Sequence, residues 1–159
     1  MNIHEKLRLQ EVKRFPICHT NKDQSVAEHS FNVVLIAMDL VAEEEDTRLK
    51  FEVLLYALEH DMEEVFTGDI PSGFKRKLRV ECPAVIKLLD GEKFVNPEVK
   101  AIVKLADWLE AIYHLRHFGG SRLAEGIIPE MLQNFFHAAN TSGVRDTIRL
   151  RALELEKVL

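Results

Sequence analysis

The 159-residue chain is 47% apolar and 30% charged, which suits one domain with a real core and excludes a disordered chain. Its net charge of −5 argues against a nucleic-acid polymer as partner, so an anionic substrate would need a local cation cluster or a metal. Two cysteines, Cys18 and Cys82, stand far apart in no CxxC pattern; they read as free thiols and exclude a thiolate-rich zinc site.

In chain order, the N-terminal segment MNIHEKLRLQEVKRF lacks the apolar core of a signal peptide. Within it, the spacing predicts a short amphipathic helix over Ile3–Val12. A turn-rich stretch, Arg14 to Gln24, follows. Ser25 stands three residues before Glu28, the spacing of a capping box, and predicts a helix reaching about Glu45. The longest apolar run, Val33–Ala42, is broken by Asp39 and is too short to span a bilayer. The chain is expected to be cytoplasmic, with no membrane association.

Arg48–Glu59 reads as a second long helix, with a short one continuing past His60-Asp61 to about Phe66. Thr67-Gly68-Asp69-Ile70-Pro71 breaks it. Lys75–Arg79 is basic. Cys82–Leu89 is expected to be helical and to stop at Asp90-Gly91. Pro97 opens a helix to Phe118, stopped by Gly119-Gly120. Arg122–Ala139 follows, with a kink or break expected at Pro129, and Val144–Val158 is the last helix. No strand pattern, repeat or linker is visible. The expectation is one compact all-α domain over residues 1–159.

Polar groups fall on helix faces that should be buried. His29 shares a face with Val33, Ile36 and Leu40; His60 with Val53, Tyr56 and Ala57; Asp107 with Val103 and Ala111. A buried carboxylate is costly unless paired or bound to a metal. Taken singly, each has an ordinary reading: a satisfied core histidine, or an Asp107–Lys104 ion pair one helical turn apart. Together, two histidines and two aspartates suit a six-coordinate site with room for water. Mixed imidazole and carboxylate ligation favours Mn²⁺, Co²⁺, Fe²⁺ or Zn²⁺ over Ca²⁺.

The pattern His29…His60-Asp61…Asp107 resembles the HD superfamily of metal phosphohydrolases. The blocks Arg14-Phe15-Pro16, Ser25-Val26-Ala27-Glu28-His29-Ser30 and His60-Asp61-Met62-Glu63-Glu64-Val65-Phe66-Thr67-Gly68-Asp69-Ile70-Pro71 resemble bacterial 5′-deoxynucleotidases of the YfbR type. Phage dATP triphosphohydrolases of the DatZ type share much of the pattern. The resemblance covers about residues 8–115. It implies an HD fold and one divalent metal ion held by His29, His60, Asp61 and Asp107. It also implies a proton-transfer role for Glu64, with Asp69 as its partner.

By the same resemblance, Arg14 and Lys75 contact phosphate; Arg76 and Lys77 could substitute for Lys75. Phe15 stands where the family often has Trp, an apolar wall near the sugar that disfavours a 2′-hydroxyl. Ile17 borders the base or sits in the core. Trp108 reads as core, and His4, His19, His114, His117 and His137 as structural or surface residues. The function implied is 5′-deoxynucleotidase, with dNTP (dATP) triphosphohydrolase as the alternative and a non-catalytic nucleotide-binding module behind both. Homo-oligomers are implied too, with surplus apolar residues at Met131–Phe136 available for contacts.

Overall fold

The computed structural model describes residues 1–85 and 95–159. The order is α1 (Ile3–Leu7), a 3₁₀ turn (Arg8–Gln10), α2 (Val26–Leu40), α3 (Thr47–Glu59), α4 (Glu64–Thr67), α5 (Ser72–Glu81), α6 (Pro97–Phe118), α7 (Arg122–Thr141) and α8 (Asp146–Val158). Among the described residues there is no strand, only the isolated bridges Lys13↔Ser25 and Thr20↔Gly119. The all-α expectation holds. The helix expected over Cys82–Leu89, with its Asp90-Gly91 stop, lies mostly outside the described residues.

α6 is the axis. It packs along α2, α3 and α7 and touches α8. It is apolar on nearly every side, burying Ile102, Leu105, Leu109 and Ile112, as a helix enclosed by others must. Val33 and Ala37 of α2, Val53 and Ala57 of α3, Phe135 of α7 and Ile148 of α8 close around it. Asn96 caps its start by accepting the Glu98 N–H (2.9 Å), with Pro97 in the first turn. Its end at Gly119 has a different cause from a left-handed glycine cap, because φ is −62°. A Cβ at Gly119 would run into the Leu115 carbonyl oxygen, and one at Gly120 would meet Asn21 Oδ1 at 2.6 Å. Here the Thr20–Asn21 turn presses on the helix end, with the Asn21 N–H donating to Phe118 O at 2.7 Å.

Several boundaries differ from expectation. α1 stops at Leu7, since only Leu9 nearby is buried, beside Val26 and Val65; short helices need tertiary packing to persist. Ser25 caps α2 by accepting the Glu28 N–H (3.1 Å), but Glu28 does not reciprocate and pairs with Lys22 at 2.6 Å. α2 ends at Leu40 and not near Glu45. The acidic run Glu43–Asp46 would oppose the dipole at a helix C-terminus; Glu44 instead binds Arg145 (2.6 Å) and Asp46 caps α3 at Leu49 N (3.0 Å).

α7 runs unbroken through Pro129 to Thr141. Its Met131 and Phe135 are core residues, whereas Phe136 is exposed. Further large exposed apolar side chains are Phe31 and Leu35 on α2, and Phe51, Leu55 and Leu58 on α3. No described helix is long and apolar enough to cross a membrane.

Candidate functional site

His29 sits in the first turn of α2, fully buried; His60 closes the C-terminal end of α3 and Asp61 follows it; Asp107 lies midway along α6. One ligand atom each from His29, His60 and Asp61 lies within 4.8 Å of the others. Asp61 Oδ2 is 3.2 Å from His60 Nε2 and 3.5 Å from His29 Nε2. Asp107 stands outside that mutually close set. Its Oδ1 lies 3.3 Å from His29 Nε2, while Lys104 Nζ donates to its Oδ2 at 2.6 Å. The ion pair expected for Asp107 and the approach to His29 therefore coexist on its two oxygens.

The imidazoles are oriented from behind. His60 Nδ1 lies 2.8 Å from the Ala57 carbonyl oxygen, so it carries the hydrogen and donates. His29 Nδ1 lies 2.6 Å from Glu110 Oε2. Both Nε2 atoms are buried, and neither has a hydrogen-bond partner. Buried polar nitrogens are rarely left so. Two such imidazole nitrogens beside the Asp61 and Asp107 carboxylates could hold a divalent cation.

Electrostatics agree. Burial and Arg14 push the His29 pKa down, but Asp107, Asp61 and Glu110 outweigh them and raise it to about 10. Burial favours neutral Asp61, yet His60 and His29 hold its carboxyl well below the usual range. Lys104, His29 and Arg14 do the same for Asp107 against its burial.

Glu64, in the first turn of α4, is buried. Lys75 Nζ donates to its Oε1 at 3.2 Å, and its Oε2 is buried without a partner. Burial, then the Asp61 and Asp69 charges, raise Glu64 to about 7 despite Lys75 and Arg14. Asp69 Oδ2 accepts the Phe15 N–H at 2.8 Å. Arg14 lies 3.9 Å from Asp107 Oδ1, its Nε and Nη1 buried without hydrogen bonds, and its guanidinium sits 5.1 Å from the Phe15 ring centre.

A cleft of about 710 Å³ opens beside His60, Asp61, Glu64 and Asp107. Lys75, Arg76, Arg79, Lys100 and Lys104 line it, as does Trp108. Asp61, Glu63, Glu64, Asp107 and Glu130 line it too, and Lys75, Arg76 and Lys104 pair with Glu64, Glu130 and Asp107, so the cleft is rich in both signs of charge. Arg14, Phe15 and Ile17 are not part of that lining. Ile17 is 65% exposed, which rules out the core alternative for it. Trp108 is half-buried against the core and carries Lys104 Nζ 4.6 Å from its ring.

Glu110 was not among the sequence candidates. It is fully buried and accepts from Gln24 Nε2 (2.5 Å) and Asn32 Nδ2 (3.1 Å) in addition to its His29 contact. Its one visible signal is its position three residues after Asp107, on the same helix face. His114 is buried and stacks on Phe15 (5.5 Å, 10°), whereas His4, His19, His117 and His137 are exposed.

A helical scaffold that brings His29, His60 and Asp61 within 4.8 Å of one another, with Asp107 beside His29, has the arrangement of HD-type phosphohydrolases. The family described as 5′-deoxynucleotidase YfbR-like matches residues 4–86. The chain is 38% identical over 144 residues to a dATP triphosphohydrolase of Acinetobacter phage SH-Ab 15497, covering 77% of this chain and 70% of that protein. It is 28% identical over 131 residues to a 5′-deoxynucleotidase of Shewanella oneidensis, covering 64% and 66%. The HD phosphohydrolase DatZ of cyanophage S-2L, solved with dA and one catalytic Zn²⁺, shares the fold with a TM-score of 0.84 at 24% identity, over 99% of this chain and 96% of that one. The chain belongs to the YfbR-like family of HD-type phosphohydrolases.

Proposed function

We propose that the protein, acting as one domain over residues 1–159, hydrolyses deoxynucleotides, and that its first substrate is a deoxynucleoside triphosphate, dATP foremost. The observation that carries this reading is the cleft beside His60, Asp61, Glu64 and Asp107, where Lys75, Arg76, Arg79, Lys100 and Lys104 stand within reach of a phosphate chain whose oxygens would compete with the Glu64, Glu130 and Asp107 carboxylates for them. The relatives support it: phage dATP triphosphohydrolases match at 38%, 32% and 30% identity, and the 5′-deoxynucleotidases at 28% and 29%. Deoxynucleoside monophosphate cleavage, the first expectation from sequence, is the second reading, since those nucleotidases also match.

In this reading His29, His60, Asp61 and Asp107 hold one divalent ion. Zn²⁺, Mn²⁺, Co²⁺ and Fe²⁺ all suit the donor set. When bound, such an ion supplies Lewis acidity toward a phosphoryl oxygen and toward water. Glu64 holds a proton on Oε2 and delivers it to the departing O5′ as the α-phosphorus–oxygen bond breaks. Water adds to that phosphorus, the proton it loses restores Glu64, and the products are deoxynucleoside and triphosphate. The same step on a monophosphate gives deoxynucleoside and phosphate. Asp69 helps twice, through the charge that raises Glu64 and through its hold on Phe15. Arg14 and Lys75 bind phosphate oxygens, Phe15 walls the sugar, and Ile17 borders the base.

The reading includes a cytoplasmic location, where deoxynucleotide pools lie, and a homo-oligomer built on the exposed apolar face of α2 and α3. The deciding experiment offers Mn²⁺- or Co²⁺-loaded protein a panel of dNTPs, NTPs, dNMPs and NMPs and identifies products. Triphosphate and deoxyadenosine from dATP are expected. Turnover of dNMPs alone would establish the second reading, and no turnover by metal-loaded protein would leave only a nucleotide-binding module.

A further inference from the structure

Glu110 has no place in the chemistry above, yet it is a fully buried carboxylate at the heart of the molecule. Such a group survives only if donors compensate its lost hydration. Three do. Gln24 Nε2 and Asn32 Nδ2 both reach Oε1, at 2.5 and 3.1 Å, and His29 Nδ1 meets Oε2 at 2.6 Å. Those donors come from the loop before α2 and from α2 itself, while Glu110 comes from α6, 81 residues beyond His29.

The arrangement has a direction. With a carboxylate at Nδ1, that nitrogen keeps its hydrogen, so it is Nε2, facing Asp61 and Asp107, that gives up its proton and offers a lone pair when a cation binds. Nε2 is the buried, unpartnered atom. The network also continues outward: the Gln24 carbonyl oxygen accepts the Arg14 N–H at 2.9 Å. One hydrogen-bonded chain thus links Arg14, Gln24, Glu110 and His29.

We infer that Glu110, held by Gln24 and Asn32, is a positioning residue for the metal centre. It fixes the His29 ring and tautomer so that Nε2 is presented to a divalent cation, and its charge makes that nitrogen a stronger donor. The inference rests on the metal site in the proposed function, but it requires no nucleotide chemistry.

The test is therefore made with metal alone. Full-length protein is stripped, and Zn²⁺ and Co²⁺ affinities are measured by chelator competition for wild type, Glu110→Gln and Gln24→Leu. Glu110→Gln keeps the shape and removes the charge; it should weaken binding about 10- to 100-fold and shift the Co²⁺ visible spectrum. Gln24→Leu leaves the carboxylate but removes its shortest donor, and should weaken binding about fivefold. A Glu110→Gln protein that binds both metals within twofold of wild type, with an unchanged Co²⁺ spectrum, overturns the inference and leaves Glu110 as a packing network. Should Glu110→Gln fail to fold, wild-type affinity in Gln24→Leu overturns it equally. Tight metal binding without hydrolysis of any nucleotide would defeat the proposed function and leave this inference standing.

Discussion

The Asp69 carboxylate accepts the Phe15 N–H at 2.8 Å, and Phe15 is the one non-glycine residue with positive φ (55°) among the described residues. Such a conformation costs on the order of 1–3 kcal/mol and persists only where its surroundings enforce it. Asp69 enforces it at the backbone, and His114 at the ring. Asp69→Ala should therefore lose about 2 kcal/mol in urea unfolding, the worth of a charge-assisted hydrogen bond. Asp69→Asn keeps an acceptor oxygen and should lose less than half of that, with activity nearer wild type. If Asn were as inactive as Ala, and Ala as stable as wild type, Asp69 would be a proton-transfer group and not a tether.

Metal uptake should depend on pH through His29. Its carboxylate neighbours raise its pKa to about 10 against burial and Arg14, so the metal-free site carries a proton there at neutral pH. Metal and proton compete for this imidazole. Apparent affinity should rise roughly tenfold per pH unit between about pH 7 and 9, with one proton released in unbuffered titrations. A pH-independent affinity would contradict the assignment of His29 as ligand.

Glu64→Gln should retain metal and lose about 10²- to 10⁴-fold in kcat, the range for general acid–base groups. The metal-free protein offers a second check. The folded Glu64 value of about 7 lies above its ordinary 4.5, so the folded state binds this proton more tightly than the unfolded chain. Its stabilising contribution is full below about pH 4.5 and is lost as pH rises to about 7. The Tm difference between wild type and Glu64→Gln should move against wild type across that window. A constant difference would mean that Glu64 titrates normally.

Core and surface should separate cleanly by truncation. Phe135 is fully buried, and Phe135→Ala should cost about 3–5 kcal/mol. Phe31 is 59% exposed, and in dilute monomer Phe31→Ala should change stability by less than about 0.5 kcal/mol. Denaturant melts would show either figure to be wrong.

What the sequence made legible was what lies on one element. α6 was readable from Pro97 to Phe118: its start chemistry at Asn96 and Pro97 is local, and Gly119-Gly120 marks its stop, although the cause of that stop, the packing of the Thr20–Asn21 turn, is not visible in the sequence. His29, His60 and Asp61 were readable because each sits on an apolar helical stripe or beside a specific motif, and they do converge. Glu110 was not, since a carboxylate three residues from another looks like ordinary helix surface until Gln24 and Asn32 arrive from far along the chain. Met131–Phe136 was legible as apolar but not in its division: Met131 and Phe135 are core residues while Phe136 is exposed, and an apolar run on an amphipathic helix does not say which of its residues another helix covers.

The centre draws on residues from 29 to 110, so no short piece of the chain contains it. The fold must bring Asp61, Glu64, Asp107 and Glu110 close together before any ion arrives, and like charges resist that. A cation that binds only the assembled site stabilises the folded state by RT ln(1 + [M]/Kd), about 4 kcal/mol at a thousandfold excess over Kd. Chelation would then lower the melting temperature as well as the rate, and a cell short of metal would hold less of this protein in its folded form.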